Sequence, residues 1–142
     1  MVNSCPVFEQ EVIMQIKDID VFHGTCQALW NVSLEVRRGE MLALIGSNAA
    51  GKSTLINTIS GFLQPTKGAI YFEDQDITGF DPASIVSLGI SQVSEERNVF
   101  PNMSVYDNLI LGAYNHNART WRAKNLQDVY NHFPILKKRK KQ

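Results

Sequence analysis

Cysteine is scarce in this chain, with only Cys5 and Cys26 among 142 residues. They lie far apart and in no metal-ligand spacing, which argues against a disulfide framework or a zinc site and points to a reducing cytosol. There is also no apolar run near the ~18 residues that a membrane-spanning helix needs. The opening residues, MVNSCPVFEQE, have neither a basic region nor a long apolar core, so they do not read as a signal peptide. Internal repeats and low-complexity linkers are lacking as well. Hydrophobic residues make up 44% and charged residues 20%, a balance that excludes a disordered chain and suits one domain with a real core.

Net charge is zero, but it is unevenly spread. Lys137-Lys138-Arg139-Lys140-Lys141 holds five of the fourteen cations and no acid, leaving the rest of the chain at −5. Such a run suits nucleic acid or an anionic membrane surface. Without aromatic stacking residues inside it, it reads more simply as a solvated helix face or a fraying terminus, and no nucleic-acid partner is expected.

Against these absences stands one strong motif. Gly46-Ser47-Asn48-Ala49-Ala50-Gly51-Lys52-Ser53-Thr54 fits G-x-x-x-x-G-K-[ST], the phosphate-binding P-loop or Walker A motif. The motif requires a strand before it and a helix after it. Met41–Ile45 is a short apolar run that reads as a strand covered on both faces, and Leu55, Ile56 and Ile59 recur at helical spacing. In such a loop the backbone N–H groups converge on anionic oxygens, and the helix N-terminus adds partial positive charge. Lys52 is expected to reach the β- and γ-phosphates of a nucleotide, with the Ser53 hydroxyl on Mg²⁺.

The remaining elements follow from pattern. Residues 1–11 form a lead-in. Val12–Lys17 is strand-like and continues to a break at Gly24; Leu29–Val36 alternates as a half-buried antiparallel strand, with Val32, Leu34 and Val36 on one face. Arg37–Glu40 turns. The P-loop helix ends at Gly61, Pro65–Gly68 is a turn, Ala69–Phe72 a strand and Glu73–Asp76 an acidic turn. Asp81 caps a short helix with Pro82 at its first position, closed by Gly89. Ile90–Val93 reads as a strand and Ser94–Pro101 as a loop. Ser104 and Asp107 form a capping box for a helix to about Ala113. Asn115–Asn117 is a polar link before an amphipathic helix carrying Trp121, Leu126, Val129, Tyr130 and Phe133, interrupted at Pro134. The fold class is therefore α/β: a strand-rich P-loop core over 12–102 and a helical part over 103–142.

Ala28–Gly61 (ALWNVSLEVRRGEMLALIGSNAAGKSTLINTISG) resembles the N-terminal core of ATP-binding cassette (ABC) ATPases, whose antiparallel strand pair ahead of the P-loop strand sets them apart from P-loop kinases and GTPases. Gly89–Tyr114 (GISQVSEERNVFPNMSVYDNLILGAY) is similar to the G-I-x-x-V-P-E-x-R-x-V-F-P-x-x-T-V-x-E-N-L segment of branched-chain amino acid importer ATPases, and Asn131–Arg139 to their L-F-P-x-L-x-x-R stretch. The P-loop is generic; Glu95–Leu109 is the specific signal.

The resemblance implies a subunit that hydrolyses MgATP at a head-to-tail dimer interface, by in-line attack of water on the γ-phosphate. It implies membrane subunits as partners and a cytoplasmic place on the inner face of the plasma membrane. It places an adenine-stacking aromatic at His23, with Phe22 as the alternative. The Q-loop group falls on Glu95, near Mg²⁺ and the attacking water, with Glu96 competing. Ser47, Ala49, Ser94 and Glu96 depart from the family's Pro, Gly, Pro and Gly. The L-S-G-G-x signature, the Walker B strand with its catalytic Glu and the switch His are not in this sequence. It reads as the family's N-terminal part, cut before the signature, expected to bind ATP without turnover and to be only marginally stable. Urea or amide importer ATPases, a nucleotide-binding module without catalysis, and a P-loop kinase or GTPase are the alternatives.

Overall fold

The computed structural model describes residues 11–95 and 98–142, and the chain divides into two compact units that meet in sequence between Ser91 and Gln92. Residues 1–10 of the N-terminal lead-in, Cys5 among them, and Glu96 lie outside the described residues; Cys26 is a free, exposed thiol.

The first unit is built on strands β1 (Val12–His23) and β2 (Cys26–Arg37), paired antiparallel from Val12↔Arg37 to His23↔Cys26. Gly24, at φ 59°, opens the two-residue turn between them, as the sequence suggests. Strand β3 (Pro65–Phe72) pairs antiparallel with β1, and the short β4 (Gln75–Asp76) with β3, giving the order β2-β1-β3-β4. Alternation in β2 is as read: Val32, Leu34 and Val36 are half-buried, and Ser33 and Glu35 exposed. The inner face supplies Ile16, Ile19, Val21, Leu29 and Ile70. Leu55 of helix α1 (Lys52–Ile59), Ile85 of helix α2 (Pro82–Ser87) and Ile77 complete the core.

Two turn readings are corrected. Pro65–Gly68 is not a turn but the first half of β3, with Lys67 opposite Asp20 and Pro65 opposite Val21. Proline fits at the first position of a strand, where no ladder N–H is demanded. The glycine answers a bulge in β1: Asp18 takes φ 48°, its N–H bonds the Ser33 hydroxyl at 2.8 Å, and that hydroxyl donates to the Asp18 carboxylate at 2.9 Å. Gly68, at φ 81°, crosses this bulge so closely that a Cβ would sit 2.3 Å from the Lys17 carbonyl oxygen. The acidic turn is shorter than expected. Glu73 and Asp74, both at positive φ, form a two-residue hairpin loop, and Gln75–Asp76 are strand.

The readings of Met41–Ile45 and Ile90–Val93 as strands are also corrected. Neither pairs with a strand among the described residues, and Met41, Ile45 and Val93 are 96%, 92% and 97% exposed. An apolar run becomes a strand only when neighbours take up its N–H and C=O groups. Both α1 and α2 close as read. Gly61, at φ 79°, receives α1 in a Schellman motif: its N–H bonds the Thr58 carbonyl and that of Phe62 bonds Asn57. The Asp81 carboxylate accepts from the N–H groups of Ala83 and Ser84. Its pKa is lowered, chiefly by the hydrogen bond from the Ser84 side chain.

The second unit contains helices α3 (Val105–Leu111), α4 (His116–His132) and α5 (Pro134–Lys138). The Ser104/Asp107 box is present, with Ser104 Oγ accepting from the Asp107 N–H at 3.1 Å and donating to its carboxylate at 2.6 Å. Helix α4 begins at His116, inside the expected polar link, because helical hydrogen bonding extends back to it. Tyr130 is buried and Leu126 and Val129 half-buried, but Trp121 and Phe133 are each 59% exposed. The amphipathic reading thus holds only in the C-terminal half of α4.

These contacts give two stability predictions. Gly68→Ala should destabilise by more than about 2 kcal/mol, because it adds a backbone clash to the ~1–2 kcal/mol left-handed penalty. Gly24→Ala, with open space around its Cβ, should cost that penalty alone. Equal losses in urea denaturation would refute the bulge crossing. For Asp81→Ala, the lowered native pKa means that the cap's ionic contribution is present above the unfolded pKa and is lost as pH falls through the native value. The variant should melt earlier than the parent at neutral pH, and the gap should narrow as pH falls below the ordinary aspartate value of about 3.9.

Candidate functional site

The P-loop lies between the exposed run Met41–Ile45 and the first turn of α1. The Ala50 N–H bonds the Ser47 carbonyl at 3.2 Å, so the loop folds tightly over Ser47–Ala50. Ala49 takes φ 66° and Gly51 φ 89°. Gly51 is required for two reasons. It caps α1 in a left-handed conformation, and a Cβ there would lie 2.6 Å from Leu29 Cδ2 and 3.1 Å from the Ala28 carbonyl oxygen. The glycine thereby lets strand β2 press against the start of the helix.

No side chain caps α1, and no acidic residue occupies its first turn. Its first N–H groups therefore have no side-chain acceptor, and their partial positive charge is uncompensated from within the helix. Lys52 curls back over the loop, its Nζ donating to the carbonyls of Gly46 at 2.8 Å and Ser47 at 2.6 Å. Held by two neutral carbonyls, the ammonium has no counter-charge among the described residues, so an anion meets both it and the helix terminus. The Ser53 side chain is exposed, whereas Thr54 is buried and its hydroxyl meets His23 Nε2 at 3.2 Å.

His23 is thus brought to the P-loop helix from the tip of the β1–β2 hairpin. Phe22 points the other way by strand alternation and is half-buried. The described contacts gather Gly46, Ser47, Ala50, Gly51, Lys52, Thr54 and His23 in the first unit, with Asn48, Ala49 and Ser53 in the same loop and turn. Glu95 is exposed in a bend of the second unit. Among the described residues there is no cluster of three His, Cys, Asp or Glu. A hydroxyl beside a phosphate cradle suits Mg²⁺, which keeps its waters and takes oxygen from phosphate rather than from an all-protein cage. Leu29 and Ala28, which seat Gly51, were not singled out from sequence; the invariant glycine of the motif was the only signal that something would approach it.

The sequence profile described as ABC transporter matches residues 29–142. The chain belongs to this family. It is 35% identical over 130 residues to the high-affinity branched-chain amino acid transport ATP-binding protein BraG of Pseudomonas aeruginosa, covering 92% of this chain and 55% of that protein. It is also 41% identical over 104 residues to the galactofuranose transporter ATP-binding protein YtfR of Escherichia coli K12, covering 73% of this chain and 21% of that one. Among solved structures, a nucleotide-free ATP-binding cassette from an ABC transporter superposes with a TM-score of 0.76 at 30% identity, over 92% of this chain and 57% of the other. This ABC chain therefore spans about half the length of the branched-chain relatives it matches. The match confirms the α/β cassette fold with an antiparallel element ahead of the P-loop and helices after it.

The P-loop geometry separates two glycine effects. Gly51→Ala should weaken ATP binding at least tenfold, since α1 must move away from Leu29 to admit the Cβ. Ala49→Gly relieves a left-handed alanine worth about 1–2 kcal/mol and should leave ATP affinity equal or up to about tenfold tighter. Calorimetric titration showing weaker binding for Ala49→Gly would contradict the strain at φ 66°.

Proposed function

We propose that this chain binds MgATP at Gly46–Thr54 as part of the energy-coupling subunit of an ABC importer, with branched-chain amino acids as the transported solute. The observation that carries the nucleotide reading is the uncapped start of α1 beneath Lys52, whose ammonium rests on the loop's own carbonyls. Lys52 exchanges those carbonyls for phosphate oxygens, and the loop N–H groups donate to the remaining phosphate oxygens. The Ser53 hydroxyl would hold Mg²⁺ beside the bound phosphates, and the ion would supply charge neutralisation there. His23, anchored through Thr54, is the platform for the adenine ring, with Phe22 in reserve. Glu95 supplies the Q-loop carboxylate that couples the nucleotide to membrane subunits.

In this reading residues 12–102 act as the nucleotide-binding core, 103–142 begin the helical subdomain, and a second ATP-binding subunit completes the site head to tail. The subunit works in the cytoplasm against the inner face of the plasma membrane, and nucleic acid is not a partner. No described helix is long and apolar enough to cross a membrane. Support for the solute comes from the Glu95–Leu109 segment and from the 35% identical branched-chain relatives. Sugar importer ATPases match a shorter stretch at up to 41% identity, so sugar, urea or amide import stands as the alternative. A second reading, nucleotide binding without catalysis, is favoured by the left-handed Ala49.

Lys52→Ala should lower MgATP affinity about 10- to 100-fold, the worth of a charge-assisted bond to phosphate. Equal affinities by calorimetry would remove the assigned role of Lys52. Steady-state phosphate release by residues 1–142 should not exceed that of the Lys52→Ala control. Turnover that depends on Lys52 would show that a carboxylate in this chain serves as base, and would overturn the non-catalytic reading.

A further inference from the structure

The division into two units is also a division of charge. Residues 1–91 carry five Lys and Arg against ten Asp and Glu, a net −5; residues 92–142 carry nine against four, a net +5. Five of those nine cations are the consecutive Lys137–Lys141. All five are exposed, and none forms an ion pair with a described residue. The segment is not a fraying end. The Tyr106 N–H donates to the Lys140 carbonyl at 3.0 Å and the Val105 N–H to the Gln142 backbone oxygen at 2.9 Å. Backbone groups of the basic run thus satisfy the orphan donors of α3, which holds the run in place. Immediately before it, Phe133 and Ile135 are 59% and 51% exposed, while Leu136 is half-buried as an anchor.

From this we propose that α5 and the basic run after it form a docking surface for anionic phospholipid. A fixed cluster of cations beside exposed aromatic and aliphatic side chains matches the two layers of a bilayer surface: headgroup phosphate first, acyl boundary beneath. The exposed aliphatic Ile135 distinguishes this partner from duplex nucleic acid, whose phosphate backbone would call on the cations alone. With a chain of zero net charge, attraction must come from the local cluster of cations, which acts over a Debye length of about 10 Å at 0.1 M salt. The proposal stands apart from the nucleotide site and does not depend on it.

The test is co-sedimentation of the full 142-residue chain with vesicles of phosphatidylcholine alone or mixed with phosphatidylglycerol. Binding is expected only to the mixed vesicles at about 0.1 M salt, with release at about 0.5 M. K138Q/R139Q/K140Q should reduce partitioning at least tenfold, since each cation is worth about fivefold. K17Q/K67Q, two charges removed from the first unit, should change it less than twofold. Ile135→Ser should lower it several-fold while leaving the salt dependence intact. Circular dichroism checks that each variant folds, and the salt series on the parent decides the matter if one does not. Equal binding to both vesicles, no binding to either, retention by K138Q/R139Q/K140Q, or displacement from mixed vesicles by duplex DNA would each overturn the proposal.

Discussion

The approach of Gly51 to Leu29 is the contact on which the site depends. With any side chain at position 51, a Cβ would lie 2.6 Å from Leu29 Cδ2, so glycine alone lets β2 lie against the start of α1. Leu29 and Leu55 then share one core with Ile16, Ile19 and Val21. That packing fixes the helix, and the helix fixes the direction of its uncapped N–H groups. The same seating draws the hairpin tip over α1, so that His23 reaches Thr54. Phosphate chemistry at this loop is thus set by a hydrophobic contact behind it.

The sheet solves a related problem of close approach. A bulge at Asp18 twists β1, and the chain opposite must come within backbone distance, which only Gly68 permits. Arg38 closes the far end, bonding Glu11 at 2.8 Å and Glu73 at 2.9 Å; these pairs raise its pKa, Glu11 first, and join the start of β1, the end of β2 and the β3–β4 turn. All three side chains are more than half exposed, so this clamp sets register more than it adds stability. The firm part of the first unit is therefore the antiparallel sheet with α1 and α2. The apolar runs Met41–Ile45 and Ile90–Val93 have no strand partners among the described residues.

The second unit holds together differently. Tyr130 is its one buried hydrophobic residue among those described. Order comes largely from polar capping: the Ser104/Asp107 box, and the Asn108 side chain, which bonds the Phe100 N–H and the carbonyls of Phe100, Met103 and Ser104. A unit fixed by caps rather than by a core leaves large side chains such as Tyr114, Trp121 and Phe133 in solvent. Two of them are covered in part by cations, Arg119 over Tyr114 and Lys124 over Trp121.

Local chemistry was legible in the sequence. The P-loop spacing, the caps at Asp81 and Ser104, the glycine stop at Gly61 and the alternation of β2 each depend on residues a few positions apart, and each is present in the structure. What the sequence left undecided depends on partners distant along the chain. Pro65–Gly68 carries turn residues, yet it is strand because a bulge more than forty residues earlier needs a glycine opposite it. Met41–Ile45 carries strand residues, yet it pairs with nothing described, since hydrogen-bonded neighbours and not apolarity make a strand. The sequence reads His23 as the stacking position with Phe22 as its alternative, and only the folded hairpin puts the His23 ring in contact with Thr54. Propensity and motif act within a turn of helix or a pair of residues, whereas pairing, burial and close approach are settled only when the whole chain has closed on itself.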